Sequence, residues 1–171
     1  MLRLSNAHNA NQSGCALRFS PTRDFELIRR VLTHEKIWDH ISDDGAPAVE
    51  EFQPADHPAF TYLEVRDGEE LLGLFLLVRE NAACMEVHTC LLPAAWGPRA
   101  REAARGLIDW VFTHTDCRRL ITSVPAYNRL ALRFAERAGM TKYGENPDSF
   151  LKRGRLYSQV LLGISKCQQQ P

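Results

Sequence analysis

The apolar and polar positions fall into short blocks whose period switches between that of a helix and that of a strand. Ala16-Leu17-Arg18-Phe19 reads as a first strand, punctuated by Ser20-Pro21-Thr22. Phe25, Ile28, Val31 and Leu32 then share one face at helical spacing, with Pro21 at or just before the helix start. A short second helix over Glu35 to Ile41 would bury Ile37, Trp38 and Ile41 before Asp43-Asp44-Gly45-Ala46-Pro47 breaks it. The stretch to Pro58 is acidic, carries two more prolines and reads as a loop.

Phe60 to Val65 has the aromatic and β-branched content of a strand, and Asp67-Gly68 is a strong hairpin signal. Leu71 to Arg79 is nearly all apolar, which predicts a central strand covered on both faces. After a turn at Glu80-Asn81-Ala82 a third strand runs from Cys84 to Leu92, completing an antiparallel meander. A long helix from about Arg99 to His114 presents Ala100, Ala103, Ala104, Leu107, Ile108, Val111 and Phe112 on one face. Arg119 to Val124 is a short buried strand, and this strand, helix, strand order favours a parallel pair with a right-handed crossover. A last helix opens at Asn128 and carries Leu130, Ala131, Phe134, Ala135 and Ala138 on one face; Gly139 sits where a left-handed cap is needed. Thr141 to Gly144 and Leu156 to Ile164 are candidate closing strands, with Asn146-Pro147-Asp148 between them. The expected fold class is α/β (α+β), with a mixed central sheet of about six to seven strands and helices on both faces. One domain is expected over 16–165, with a flexible N-terminus through residue 15 and a disordered tail from 166.

Composition narrows the function classes. The formal net charge is +0, which argues against a general nucleic-acid binder. No apolar run approaches the roughly 18 residues of a membrane span, and no secretory signal opens the chain. Five cysteines at irregular spacing do not make a disulfide framework, so a cytoplasmic location is expected. The charge is polarised. Between Ile37 and Val65 there are seven acids and no Lys or Arg; between Pro93 and Lys142 there are nine bases against four acids. The basic half suits a phosphorylated ligand and the acidic half a cationic amine or a Lys-rich segment; both also suit simply solvated faces.

Val124-Pro125-Ala126-Tyr127-Asn128-Arg129-Leu130-Ala131-Leu132-Arg133-Phe134-Ala135-Glu136-Arg137-Ala138-Gly139-Met140, an Asn-led helix ending in Gly plus a large apolar residue, resembles the GNAT (Gcn5-related N-acetyltransferase) superfamily. So does the order of elements from Leu17 to Ile164, and with Leu92-Pro93-Ala94-Ala95-Trp96-Gly97 the chain is also similar to small acetyltransferase-like proteins often carried by bacteriophages. The resemblance implies the GNAT fold with a splayed parallel pair of strands that binds acetyl-CoA. It implies that Thr89, Cys90 and Leu91 offer backbone groups to the pantetheine arm, and that an amide there polarises the thioester carbonyl. The pyrophosphate would rest on the start of the long helix, at Trp96, Gly97, Pro98, Arg99, Ala100 and Arg101, with Asn128 opening the next helix.

Two positions depart from the family pattern. The family's phosphate loop reads Gln or Arg, two residues, Gly, one residue, then Gly or Ala. Aligned on Pro93, this chain has Trp96 at the first position and Arg99 and Arg101 where the small residues belong. Sliding by one residue recovers Ala100 but puts Pro98 at the first glycine. Arg99 and Arg101 could instead grip phosphate oxygens by their side chains, or be surface arginines. Many family members carry a Tyr seven residues after the helix-opening Asn as general acid; here that position is Ala135, and Tyr127 and Tyr143 are the nearby phenols.

On the acceptor side Cys84, Glu86, His88 and Cys90 alternate along one strand and so share a face. Glu86 is the expected base for the attacking amine, directly or through a water, with His88 second. The competing structural readings are a Glu86–Arg pair and a satisfied core His88. A zinc site from these four residues is disfavoured, because neighbours on one strand rarely converge on a tetrahedral ion, and no metal is expected. The implied activity is acetyl-CoA-dependent N-acyl transfer to a primary amine by direct attack in a ternary complex. The acceptor would be a small amine, or the Lys or N-terminal amine of a peptide; a homodimer is compatible, and neither nucleic acid nor membrane is a partner. The alternatives are a non-catalytic CoA-binding or interaction module, and an enzyme using an acyl-carrier protein as donor.

Overall fold

The computed structural model describes residues 17–166. The segments expected to be flexible lie outside the described residues, apart from Lys166, whose ammonium donates to the Phe112 carbonyl at 2.6 Å. The strands are β1 (Arg18–Thr22), β2 (Phe60–Asp67), β3 (Glu70–Arg79), β4 (Cys84–Leu91), β5 (Arg119–Pro125), β6 (Thr141–Lys152) and β7 (Arg155–Ser165). The α-helices are α1 (Phe25–Leu32), α2 (Glu35–Ile41), α3 (Pro98–His114) and α4 (Arg129–Arg137), and a single 3-10 turn, Pro93–Ala95, precedes α3. The seven strands form one sheet in the order β1-β2-β3-β4-β5-β7-β6. Only the β4–β5 pair is parallel. This is the mixed sheet expected from the sequence.

A core lies on each face. On one side α1 and α2 bring Leu27, Ile28, Val31 and Ile37 against Tyr62, Leu74 and Cys90. On the other, Ala103, Leu107, Ile108 and Val111 of α3 and Ala135 of α4 pack on Leu63, Phe75, Val87 and Leu120. The all-apolar β3 is central because helices cover both its faces, as predicted.

Three local expectations are corrected. Pro21 lies inside β1, paired with Leu63, and Asp24 caps α1 instead, its carboxylate accepting from the Leu27 amide at 3.0 Å. β1 is an edge strand, where a missing N–H costs no ladder bond. Leu130 is exposed; the buried arc of α4 is carried by Ala131, Phe134, Ala135 and Ala138. Asn146-Pro147-Asp148 does not end a strand. β6 runs through it as an edge strand with an irregularity between Asn146 and Phe150, and the reversal comes at Arg153-Gly154. Both residues have positive φ (53° and 70°), as a two-residue hairpin turn requires.

Candidate active site

β4 and β5 are joined by only three residue pairs, Cys84–Arg119, Met85–Leu120 and Glu86–Ile121. Beyond them β4 stays with β3 as far as Leu91, and β5 stays with β7 as far as Pro125. Each strand thus follows its antiparallel neighbour and the two part. A cavity of about 380 Å³ fills the wedge and passes through the sheet. Its back wall is apolar, from Ala104, Leu107, Ile108, Ala131, Phe134 and Ala135; its front is bounded by His40, Ile41, Glu86, His88, Phe150 and Gln159.

The direction of the β4 main chain follows from its ends. Glu80 N–H donates to the Cys84 carbonyl at 3.1 Å, and Leu92 N–H donates to Leu72 at 2.9 Å, so even-numbered positions face β3. Alternation turns Val87, Thr89 and Leu91 towards the wedge. The Leu91 carbonyl there accepts from Trp96 Nε1–H at 3.0 Å. Cys90 is out of phase: its main chain faces β3 and its side chain is buried against α1 and α2. Burial pushes its thiol up to about 12, which makes it a packing residue and a poor nucleophile at neutral pH. Gly73 of β3 fixes this end of β4. It has φ 139°, and a Cβ there would stand 2.4 Å from the Cys90 carbonyl oxygen. The backbones approach so closely that no side chain fits between them.

The start of α3 is built from Gly97 at φ 89° and Pro98 in the first turn. A helix opening leaves its first amides without intrahelical partners; Pro98 has none to offer, so Arg99 and Ala100 present theirs. Ala100 is buried, and Arg101 is exposed. Arg99 does not reach into the wedge. Its guanidinium pairs with Glu70 and with Asp67, the latter at 2.8 Å, both at the β2–β3 turn. Its hydrogen bonds to Glu70 and then to Asp67 raise its pKa further above the ordinary arginine value. Trp96 is half exposed and meets the wedge only at the Leu91 end, through its bond to that carbonyl; neither it nor Arg99 lines the cavity.

Glu86 and His88 stand side by side at the cavity front, Nε2 to Oε2 at 4.0 Å. The Glu86 carboxylate has no Lys or Arg ion-pair partner among the described residues. Asn128 also lines the cavity and caps α4, its Oδ1 accepting from the Ala131 amide at 3.1 Å. Tyr127 lies outside the lining, edge-on to Tyr157 at 4.6 Å between ring centres. Burial, and then Asp39, raise its phenol, which is protonated at neutral pH. Tyr143 is under the Arg119 guanidinium on the β6 side. Among the described residues no three His, Cys, Asp or Glu are grouped to hold a metal ion.

The structure adds lining residues that sequence reasoning did not name as site residues: His40, Ile41, Thr122, Phe150 and Gln159. Phe150 had no local signal because its strand was hidden behind Pro147. Thr122 was legible only as part of a strand, since its place on the wedge depends on where β4 and β5 part.

Comparison with known proteins followed from this geometry. The acetyltransferase (GNAT) domain family matches residues 10–141. No curated protein matches by sequence. Among solved structures, a spermidine N-acetyltransferase from Vibrio cholerae in complex with CoA and spermine superposes with a TM-score of 0.75 at 19% identity, over 89% of this chain and 96% of that one. A probable acetyltransferase of the GNAT family from Chromobacterium violaceum gives a TM-score of 0.71 at 16% identity, over 96% of both chains.

Proposed function

The chain belongs to the acetyltransferase (GNAT) domain family, and on that premise we propose that it is an acetyl-CoA-dependent N-acyltransferase acting on a primary amine. The observation that carries this reading is the through-sheet wedge, with wedge-facing main chain at Thr89 on one edge and, at its mouth, Glu86, which has no Lys or Arg partner among the described residues. The residues present fit the co-substrate. The Thr89 main chain would meet the pantetheine arm, Leu91 having its carbonyl taken by Trp96, and the amides of Arg99 and Ala100, with Arg101, would meet the pyrophosphate. Acetyl-CoA supplies an activated thioester. Glu86, with His88 beside it, takes the proton from the acceptor ammonium; the amine nitrogen bonds to the acyl carbon as the carbon–sulfur bond breaks, and a proton goes to the departing thiolate. Tyr127, the phenol expected to stand in for that last role, is no nearer to position 135 in sequence than Tyr143, and neither ring is in the lining. A thiolate is a good leaving group, so Ala135 in place of a phenol is compatible with turnover. Most of the rate gain is positioning.

The test is thermal unfolding with and without acetyl-CoA, followed by a thiol-release assay across amines. Ligand at about 100 times its dissociation constant stabilises by roughly 2.7 kcal/mol. No shift at millimolar acetyl-CoA overturns the reading. A second reading, a CoA-binding module without catalysis, is favoured by Ala135 and by the engagement of Arg99 at the β2–β3 turn; a thermal shift with no thiol release would select it.

A further inference from the structure

We propose that the acceptor is a compact primary monoamine with an apolar or aromatic body, and that Lys152 and Arg153 set this preference by withholding Asp39 from the site. This rests on the amine-acyltransfer reading and deepens it. The acceptor mouth lies between the end of α2, which supplies His40 and Ile41, and the β6–β7 hairpin, which supplies Phe150 and Gln159. These two elements are more than a hundred residues apart in sequence, yet they are clasped. Lys152 Nζ lies 3.3 Å from Asp39 and donates to the Ser42 carbonyl at 2.8 Å. Arg153 Nη2 lies 3.2 Å from Asp39. The Asp44 carboxylate accepts from the Arg153 amide at 2.7 Å and the Gly154 amide at 2.6 Å.

The clasp decides which carboxylates a substrate can meet. Asp39 and Asp44 are occupied by the hairpin, and Asp43 accepts from the Gly45 amide at 2.9 Å. Asp148 is exposed and does not line the cavity. Glu86 remains, with only His88 beside it. One available carboxylate neutralises one ammonium. A second ammonium on the same molecule would have to displace Lys152 or Arg153, and would meet their like charge while doing so. Lys152 is the better-placed competitor, being largely buried and held by Ser42 as well. The rest of the mouth pairs polar His40 and Gln159 with Ile41, Pro125 and Phe150; that apolar side, with Tyr127 and Tyr157 behind Phe150, suits an apolar or aromatic body. Asp39 and Asp44 of the acidic stretch are therefore engaged within the fold at this end.

The experiment is titration calorimetry of the protein, with and without saturating CoA, against butylamine, 2-phenylethylamine, 1,4-diaminobutane and spermidine. In the wild type, 2-phenylethylamine binds about tenfold tighter than 1,4-diaminobutane. Lys152→Gln leaves Asp39 with only the exposed Arg153 as partner and narrows that gap about fivefold, by tightening the diamine; Lys152→Arg keeps the wild-type ratio. Asp39→Asn leaves diamine affinity unchanged, because Asp39 does not serve the substrate, and this variant decides the matter if Lys152→Gln fails to fold. The proposal is overturned if the wild type binds diaminobutane or spermidine as tightly as the monoamines, if folded Lys152→Gln keeps the wild-type ratio, if Asp39→Asn loses diamine affinity, or if no amine binds. Monoamine selectivity without thiol release would sink the catalytic reading alone.

Discussion

The two ends of the wedge use the same device to opposite effect. At the donor end a helix start is tethered to a hairpin turn by Arg99, Asp67 and Glu70. At the acceptor end a helix end is tethered to a hairpin turn by Asp39, Lys152 and Arg153. On the proposed reading, the first tether takes a cation away from the ligand and leaves the helix amides and Arg101 for the anion. The second takes an anion away and leaves Glu86 for the cation. Charge counted along the chain suggests two strongly charged half-sites; charge counted after pairing leaves backbone dipoles with Arg101 at one end and, among the residues that line the cavity, the Glu86 carboxylate at the other.

This contrast is sharpened first by Glu86, which stands between the two ends and belongs to neither tether. Glu86→Gln lowers kcat by roughly 10²-fold or more while acetyl-CoA affinity, measured by thermal shift, stays as in the wild type. Unchanged kcat would remove it as the base. At the donor end, Gly73→Ala destabilises by about 3 kcal/mol in denaturant unfolding, since it combines a left-handed-region φ with a collision against backbone atoms. Loss of less than about 1 kcal/mol would mean that β4 can shift freely and that its position does not define the wedge. Arg101→Ala weakens acetyl-CoA binding about tenfold in a salt-dependent way, and Arg99→Ala weakens it less. The reverse order would show that the Arg99 tether opens for the cofactor. The smallest effect belongs to the acceptor clasp. Backbone hydrogen bonds from Gly154 and then Arg153 hold the Asp44 carboxyl below the ordinary aspartate value. A depressed pKa adds stability above the unfolded value of about 3.9, and that stability is lost as pH falls through the folded value. The Tm of Asp44→Ala therefore lies below that of the wild type at pH 6, and the difference shrinks as pH falls below about 3.9 towards the lowered folded value.

The central elements were legible because they obey local rules. The Asp67-Gly68 turn, the unbroken apolar run of β3 and the small-residue face of α3 each carry their own signal, and each has the predicted place. The edges were not. Pro21 in β1 and Pro147 in β6 look like breaks, but an edge strand has one side with no ladder to spoil. Of the site, Glu86, His88, Thr89 and Asn128 were named from sequence and all four line the cavity. The partners of Arg99 and Asp39 lie 29 to 32 and over a hundred residues away respectively, and no local pattern encodes an ion pair of that reach.

The three-pair junction between β4 and β5 has a mechanical side. The sheet is two ladders, β1 to β4 and β5 to β6, stitched at one short seam. A molecule held in the wedge would lie across that seam like a suture and tie the two ladders together; without it the sheet has a natural crease, closed only by the pairs at Cys84, Met85 and Glu86.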